Sequence, residues 1–401
     1  MNKVIVVGGG HAAAQFCVAM AGSPQHSLTL VSNEAYLPYQ RPPLSKTYMK
    51  EEVPQPAWIK PETFYADHGI QTRLSTEVSA IDRDARQVLL QSGERLDYDT
   101  LVLATGTRAR TLPAFAAGYT NVHTLRNLDD AQRMREQLAT AERVLVVGGG
   151  FIGLELAATA VQLGKHVTVL EAASRLLGRS ASSEVSDYLL LKHRQSGVDI
   201  RLQTVADRIE AEGGEVNAVW AGNERFAADV VVLGIGAQPN TELAERAGLN
   251  CDNGIVVNAS MQTSDPCIYA VGDCTAFPSV HLGRALRLES VQNANDQARC
   301  AAQALQGEPK PYDAMPWFWS DQGGVRIQIA GVPDTHHERL MRGDPATDKF
   351  SVLYFDGDAL TCVESINLPA DHLAARKLIA AGQPVNREQA TDPAVPLKNL
   401  G

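Results

Sequence analysis

The chain opens with the apolar run Val4-Ile5-Val6-Val7, which stops at Gly8-Gly9-Gly10 and gives way to an alanine-rich stretch from His11 to about Ala21. A short continuous apolar run bounded by glycine reads as a strand buried on both faces. Lys3 to Val7 is therefore predicted as a strand and the following stretch as a helix. Leu28 to Val31 is the next apolar run, completing a βαβ unit with parallel strands. The pattern returns at Arg143 to Val147, Gly148-Gly149-Gly150, a helix from Phe151 to about Leu163, and His166 to Leu170. Two such units roughly 140 residues apart are no short-period repeat and imply two nucleotide-binding folds.

Leu101 to Leu103 and Val230 to Leu233 read as further strands, running into Ala104-Thr105-Gly106 and Gly234-Ile235-Gly236; Ile268 to Val271 is another, ending at Gly272-Asp273. From about Pro316 the pattern changes to aromatic and β-branched runs, Trp317-Phe318-Trp319, Arg326 to Ala330 and Phe350 to Phe355, which predict a third, antiparallel domain. The last twenty residues carry Pro384, Pro393 and Pro396 with little periodicity and read as an extended tail.

With 401 residues, 44% of them apolar, the chain can bury two or three domains. A net charge of -10 and a pI near 5.5 argue against a broad footprint for nucleic acid or anionic lipid. No apolar run reaches the roughly 18 residues of a membrane-spanning helix. The first twenty residues do not read as a signal peptide, because three glycines, His11 and Gln15 interrupt them. These features point to the cytoplasm. The six cysteines, Cys17, Cys251, Cys267, Cys274, Cys300 and Cys362, form no CxxC pair, so they suit reduced structural thiols and no metal site is expected.

The segment Gly148-x-Gly150-x-x-Gly153 follows a strand and opens a helix, with Glu171 at the end of the next strand. In that setting the glycines let the backbone approach a pyrophosphate at the helix N-terminus, and Glu171 would accept hydrogen bonds from ribose hydroxyls. The first copy is Gly8-x-Gly10-x-x-Ala13, and its strand ends Val31-Ser32-Asn33-Glu34, so either Asn33 or Glu34 would meet the ribose. Two such folds in one chain call for two nucleotides held face to face, for which FAD with NAD(P)H is the usual pairing.

The segment Leu37-Pro38-Tyr39-Gln40-Arg41-Pro42-Pro43-Leu44-Ser45-Lys46, the Ala104-Thr105-Gly106 turn, Gly272-Asp273, and Pro316-Trp317-Phe318-Trp319-Ser320-Asp321-Gln322 resemble the NADH-dependent ferredoxin reductases of bacterial oxygenase systems. That family includes putidaredoxin reductase and the reductases of biphenyl and phenylpropionate dioxygenases, and the resemblance runs over essentially the whole chain. It implies an α/β, glutathione-reductase-like flavoprotein with two Rossmann-like dinucleotide-binding domains plus a C-terminal α+β domain. Residues 1–108 and 239–313 would bind FAD, 109–238 NADH, and 314–401 would cover the flavin. The implied FAD contacts are Gly8, Gly10, Ala13, Arg41, Lys46, Val78, Ala104, Thr105, Gly106, Arg126, Asp273 and Val291. Where this chain has Asn33 the family usually has aspartate. On the NADH side the resemblance adds Ile152, Arg179 and Gly236 to the glycines and Glu171, and Arg175 lies close by. Lys46 and Glu155 resemble an ion pair beside the flavin, and Trp319 a tryptophan lying between flavin and docked iron–sulfur cluster. The implied activity is hydride transfer from NADH to FAD, then single electrons to a [2Fe-2S] ferredoxin feeding an oxygenase, with an aromatic-ring dioxygenase favoured.

Other activities suit the same architecture. A disulfide reductase or NADH peroxidase needs a thiol near Arg41 to Lys46, and no cysteine lies between Cys17 and Cys251. A reductase serving a cytochrome P450 ferredoxin or a rubredoxin, and a redox binding protein like apoptosis-inducing factor, stay open at this level.

Overall fold

Val4, Val6, Leu101, Val102 and Leu103 are almost wholly excluded from solvent, as continuous apolar runs require of the central strands of a parallel sheet. The structure, a computed structural model, describes residues 1–115 and 118–400, and the final residue of the expected tail, 401, lies outside them. Asn2–Val7 lies between His26–Val31 and Thr100–Leu103, and the five-stranded order is Ile268–Ala270, Thr100–Leu103, Asn2–Val7, His26–Val31, Gln71–Arg73, all parallel. Helix His11–Met20 packs on helix Val291–Leu305. These elements belong to one compact unit formed by Met1–Gln40, Pro56–Arg108 and Gln238–Ala314.

The second unit comprises Arg41–Gln55, Ala109–Ala237 and Met315–Gly401. It contains another parallel sheet, ordered Asp199–Arg201, His166–Leu170, Arg143–Val147, Val230–Leu233, Val122–His123. It also contains an antiparallel sheet, ordered Trp317–Gln322, Val325–Gly331, Ala359–Ile366, Lys349–Asp356, Glu338–Asp344. Helix Pro369–Ala381 covers one face of the latter, where Ala374, Ala375 and Leu378 meet Ala330, Leu353 and Val363. The fold is thus α/β with two Rossmann-like parts and an α+β C-terminal part. Residues 41–55 group with this unit, not with the residues that precede them. Thr159 Oγ1 donates to the Ser45 carbonyl at 2.8 Å, and Arg135 donates to the carbonyls of Glu51 and Glu52.

Among the described residues, the last twenty positions are not the extended tail that their prolines predict. They form a short helix, Arg387–Thr391, and a 3-10 turn, Leu397–Asn399, with Val385, Ala390 and Leu397 buried in the core beneath helix Pro369–Ala381. The buried guanidinium of Arg342 anchors them, donating to the carbonyls of Ala390, Asp392 and Val395 and to Asp371. Prolines broke the periodicity, and one distant arginine satisfies the backbone carbonyls that no regular element accommodates.

Candidate functional site

In the second unit, Gly148 has φ +107°, and a Cβ there would lie 2.5 Å from the Gly234 carbonyl oxygen; a Cβ on Gly153 would lie 2.4 Å from that of Gly148. Neither position can carry a side chain. Helix Phe151–Gln162 begins at Gly150 with no side-chain cap, so its first amides keep their donor capacity and the dipole its positive end. The Glu171 carboxylate accepts from the amide of Gly149 at 2.6 Å and of Ala173 at 2.7 Å, which fixes it against the turn. Arg175 donates to the carbonyls of Gly178 and Ala181, both at 2.7 Å, so its guanidinium is committed to its own loop. Arg179 lies on the other side of the turn, near Gly236, whose φ is +101°. Ile152 is half exposed on the first turn of the helix.

The first unit repeats the construction. Gly8 has φ +127° and a Cβ would lie 2.2 Å from the Ala104 carbonyl oxygen, Ala13 is fully buried, and helix His11–Met20 starts at Gly10 without a side-chain cap. Thr105 and Asn240 exchange hydrogen bonds at 2.8 Å, bracing the turn that ends at Gly106. Gly272, whose amide donates to Gln297 Oε1 at 2.7 Å, approaches Ala12 closely enough that a Cβ would lie 3.0 Å from the alanine methyl. Asp273 therefore stands by the open end of helix His11–Met20. Val291 begins helix Val291–Leu305, capped by Ser290, and Val78 is half-buried at the start of strand Val78–Asp82. Both helix N-termini, each behind glycines with no room for a Cβ, have the form and the donors that a dinucleotide pyrophosphate needs.

The two ribose positions differ. Val31 and Leu170 hold equivalent places in their sheets, accepting from the amides of Gly8 and Gly148, so Ser32 corresponds to Glu171. Ser32 Oγ lies 2.4 Å from where a Cβ on Gly9 would be, whereas Asn33 is exposed and the Glu34 carboxylate accepts the Tyr39 hydroxyl at 2.5 Å. The sequence points to Asn33 or Glu34 at this strand end, and nothing local marks Ser32.

Glu155, only 4% exposed, lies inside the first turns of helix Phe151–Gln162. Its carboxylate accepts from Lys46 Nζ at 2.5 Å, Ser45 Oγ at 2.6 Å and Ser320 Oγ at 2.6 Å. Lys46 also donates to the Pro42 carbonyl and to Ser45 Oγ, so it is no surface lysine. Arg41 donates to the Arg126 carbonyl at 2.6 Å. Along strand Trp317–Gln322, Phe318 meets Phe151 at 4.6 Å between ring centroids. Trp319 meets Trp317 at 5.6 Å between ring centroids, tilted by 32°, and Trp317 in turn meets His372 and Arg376 on helix Pro369–Ala381.

Residues 2–298 match the family described as pyridine nucleotide-disulphide oxidoreductase, and residues 317–401 match the reductase C-terminal family. The chain belongs to the pyridine nucleotide-disulphide oxidoreductases. Within that family it is 41% identical to rhodocoxin reductase of Rhodococcus erythropolis, over 99% of this chain and 93% of the relative. It is likewise 41% identical to the ferredoxin–NAD(+) reductase component of the anthranilate 1,2-dioxygenase system of Burkholderia cepacia, over 100% and 99%. The crystal structure of the covalent putidaredoxin reductase–putidaredoxin complex superposes with a TM-score of 0.96 at 40% identity, covering 100% of this chain and 98% of that one.

Despite the family's name, the thiols of Cys17, Cys251 and Cys300 are poorly suited to disulfide exchange. All six cysteines are free, and burial pushes Cys17 up to about 12 and Cys251 and Cys300 up to about 11. Among the described residues no helix is long and apolar enough to cross a membrane, and no group of three or more His, Cys, Asp or Glu could hold a metal ion. Ser45 and Ser320 carried no signal of their own in the sequence, although both lie within the quoted segments; only the fold brings them to Glu155.

Proposed function

We propose that this oxidoreductase is an NADH-dependent, FAD-containing ferredoxin reductase serving a [2Fe-2S] ferredoxin of an oxygenase system, with an aromatic-ring dioxygenase as terminal enzyme. The observation that carries the reading is the pair of glycine turns, at Gly8 and Gly148, each sealed by a carbonyl and each opening an uncapped helix, in a chain whose relatives over their full length are ferredoxin reductases. Bound FAD supplies the redox chemistry, accepting a hydride from NADH and releasing electrons singly.

The protein's part is binding and electrostatics. We assign residues 1–108 and 239–313 to FAD, with Gly8, Gly10, Ala13, Val78, the Ala104–Gly106 turn, Asp273 and Val291 as contacts. Residues 109–238 are assigned to NADH, with Gly148, Gly150, Ile152, Gly153, Glu171, Arg179 and Gly236. Arg41 and Arg126 complete the FAD set. Lys46, held by Glu155, supplies positive charge that offsets negative charge gained on reduction. Trp319, in residues 314–401, serves electron exit, and the protein works in the cytoplasm. The cysteine gap between Cys17 and Cys251, together with the raised thiols, speaks against a disulfide or peroxide reductase.

Anaerobic mixing of the FAD-loaded protein with NADH and an oxidised [2Fe-2S] ferredoxin from an aromatic-ring dioxygenase tests the reading. Multiple-turnover bleaching of the ferredoxin is expected. Turnover with a disulfide or peroxide and none with ferredoxin would overturn it, and turnover only with a ferredoxin of a P450 system would reassign the terminal enzyme.

A further inference from the structure

Behind Glu155 runs a buried line of polar side chains. Ser320 Oγ donates to Glu155 Oε1 at 2.6 Å, Gln322 Nε2 donates to Ser320 Oγ at 3.2 Å, and Gln322 Oε1 accepts from His193 Nε2 at 2.9 Å. Ser320 and Gln322 lie on one side of strand Trp317–Gln322, and His193 lies on helix Ser183–Gln195. All four side chains are nearly excluded from solvent, with exposures of 4% for Glu155, 0% for Ser320, 2% for Gln322 and 4% for His193.

The direction of the line matters more than its length. A carboxylate offers only acceptors, so the Ser320 hydroxyl hydrogen must point at Glu155, and the Ser320 oxygen is then free to accept. Gln322 uses its amide N–H for that bond and turns its carbonyl to His193, whose Nε2 must therefore carry a proton. Burial holds the His193 ring below its ordinary basicity, leaving it neutral with a single N–H to place. Every donor is thus aimed towards Glu155, so each bond polarises the next and the line ends on the negative charge. On the opposite oxygen Glu155 meets Lys46 and Ser45. Without Ser320, a buried carboxylate oxygen would lose a charge-assisted hydrogen bond.

We infer that Ser320 is a positioning residue for Glu155, aligned by Gln322 and His193, and that this line of donors holds the carboxylate in place against Lys46. The inference rests on the proposed part of the Lys46–Glu155 pair in flavin reduction. It also places the hold on Glu155 one residue from Trp319, on the strand assigned to electron exit.

The test combines infrared spectroscopy of the oxidised, FAD-loaded protein with stopped-flow reduction by NADH. The carboxylate stretch that Glu155→Gln removes identifies the group; Ser320→Ala should shift that band, Gln322→Leu should shift it less in the same direction, and Ser320→Thr should restore it. Ser320→Ala should slow flavin bleaching about tenfold at saturating NADH, the equivalent of one charge-assisted hydrogen bond, with little change in KM for NADH. Ser320→Thr should recover most of that rate. A band unmoved by Ser320→Ala, or Ala and Thr variants that are equally slow, would overturn the inference. If Lys46→Met and Glu155→Gln bleach as fast as the native protein, the assignment of the pair itself falls and this inference with it. If both are slow and Ser320→Ala is not, only the role of Ser320 falls.

Discussion

Glu364 braces Ser182, the residue that caps helix Ser183–Gln195: both of its carboxylate oxygens accept the Ser182 amide, at 3.0 and 3.1 Å. The residue is fully buried on strand Ala359–Ile366. Burial raises its carboxyl from the ordinary 4.5 to about 7, an effect that Ser182 and the Tyr354 hydroxyl reduce by donating to it and that the charge of Glu184 increases. Cys362 lies on the same face of the strand, and Arg339 pairs with Glu184 at 3.4 Å.

Because the folded state holds this proton more tightly than the unfolded chain, the stability it contributes is complete below the unfolded value of 4.5 and is lost as pH rises through about 7. Glu364→Gln removes the titration while keeping an acceptor for Ser182. Relative to the native protein, the variant should gain roughly 3 kcal/mol between acidic and mildly alkaline pH. Chemical denaturation across that range measures it, and a constant difference would show that Glu364 does not titrate there.

NADH should be preferred over NADPH by at least about tenfold in kcat/KM, one decade being about 1.4 kcal/mol of lost transition-state binding. The Glu171 carboxylate, fixed by Gly149 and Ala173, would repel a 2′-phosphate, and Arg175 is bonded to the carbonyls of Gly178 and Ala181. Equal efficiencies with the two cofactors would refute this.

Trp319→Ala and Glu155→Ala should separate the two halves of the reaction. Truncating an interface tryptophan commonly costs about 2 kcal/mol or more, so Trp319→Ala should lower kcat/KM for ferredoxin roughly tenfold or more while sparing ferricyanide. Glu155→Ala, acting on reduction by NADH, should slow both acceptors alike. Equal slowing of both by Trp319→Ala at normal FAD content would make that residue packing only.

No cysteine should take part in turnover. Replacing all six with serine or alanine should leave NADH-dependent ferricyanide reduction largely intact in any variant that folds and holds FAD. Loss of that activity on removal of a single thiol would point to a different electron path.

Strands such as Arg143–Val147, His166–Leu170 and Val230–Leu233 were legible residue for residue because they are central, apolar on both faces and bounded by glycine or charge. The glycine turns were legible for a related reason: Gly8 and Gly148 occupy positions where backbone meets backbone, and only one residue type fits. Features set by distant partners were not. Ser32 looks like any serine until the parallel register gives it, in its own sheet, the place that Glu171 holds in the other. Ser45, Glu155 and Ser320 are separated by more than a hundred residues at each step, and nothing local marks them as one cluster. The C-terminal segment failed in the same way, since Arg342, which holds it, lies on another strand.

The strand Trp317–Gln322 alternates sides, with Trp317 and Trp319 towards helix Pro369–Ala381 and Phe318, Ser320 and Gln322 towards Phe151, Glu155 and His193. Alternation has a period of two, so inserting or deleting one residue here would turn the serine outward and the tryptophan inward together. On the proposed exit role of Trp319, retargeting this chain to a new electron acceptor therefore calls for point replacement at position 319 at constant length. Length variation belongs beyond the strand, in the hairpin at Gly323-Gly324, where both φ values are positive and the backbone already turns.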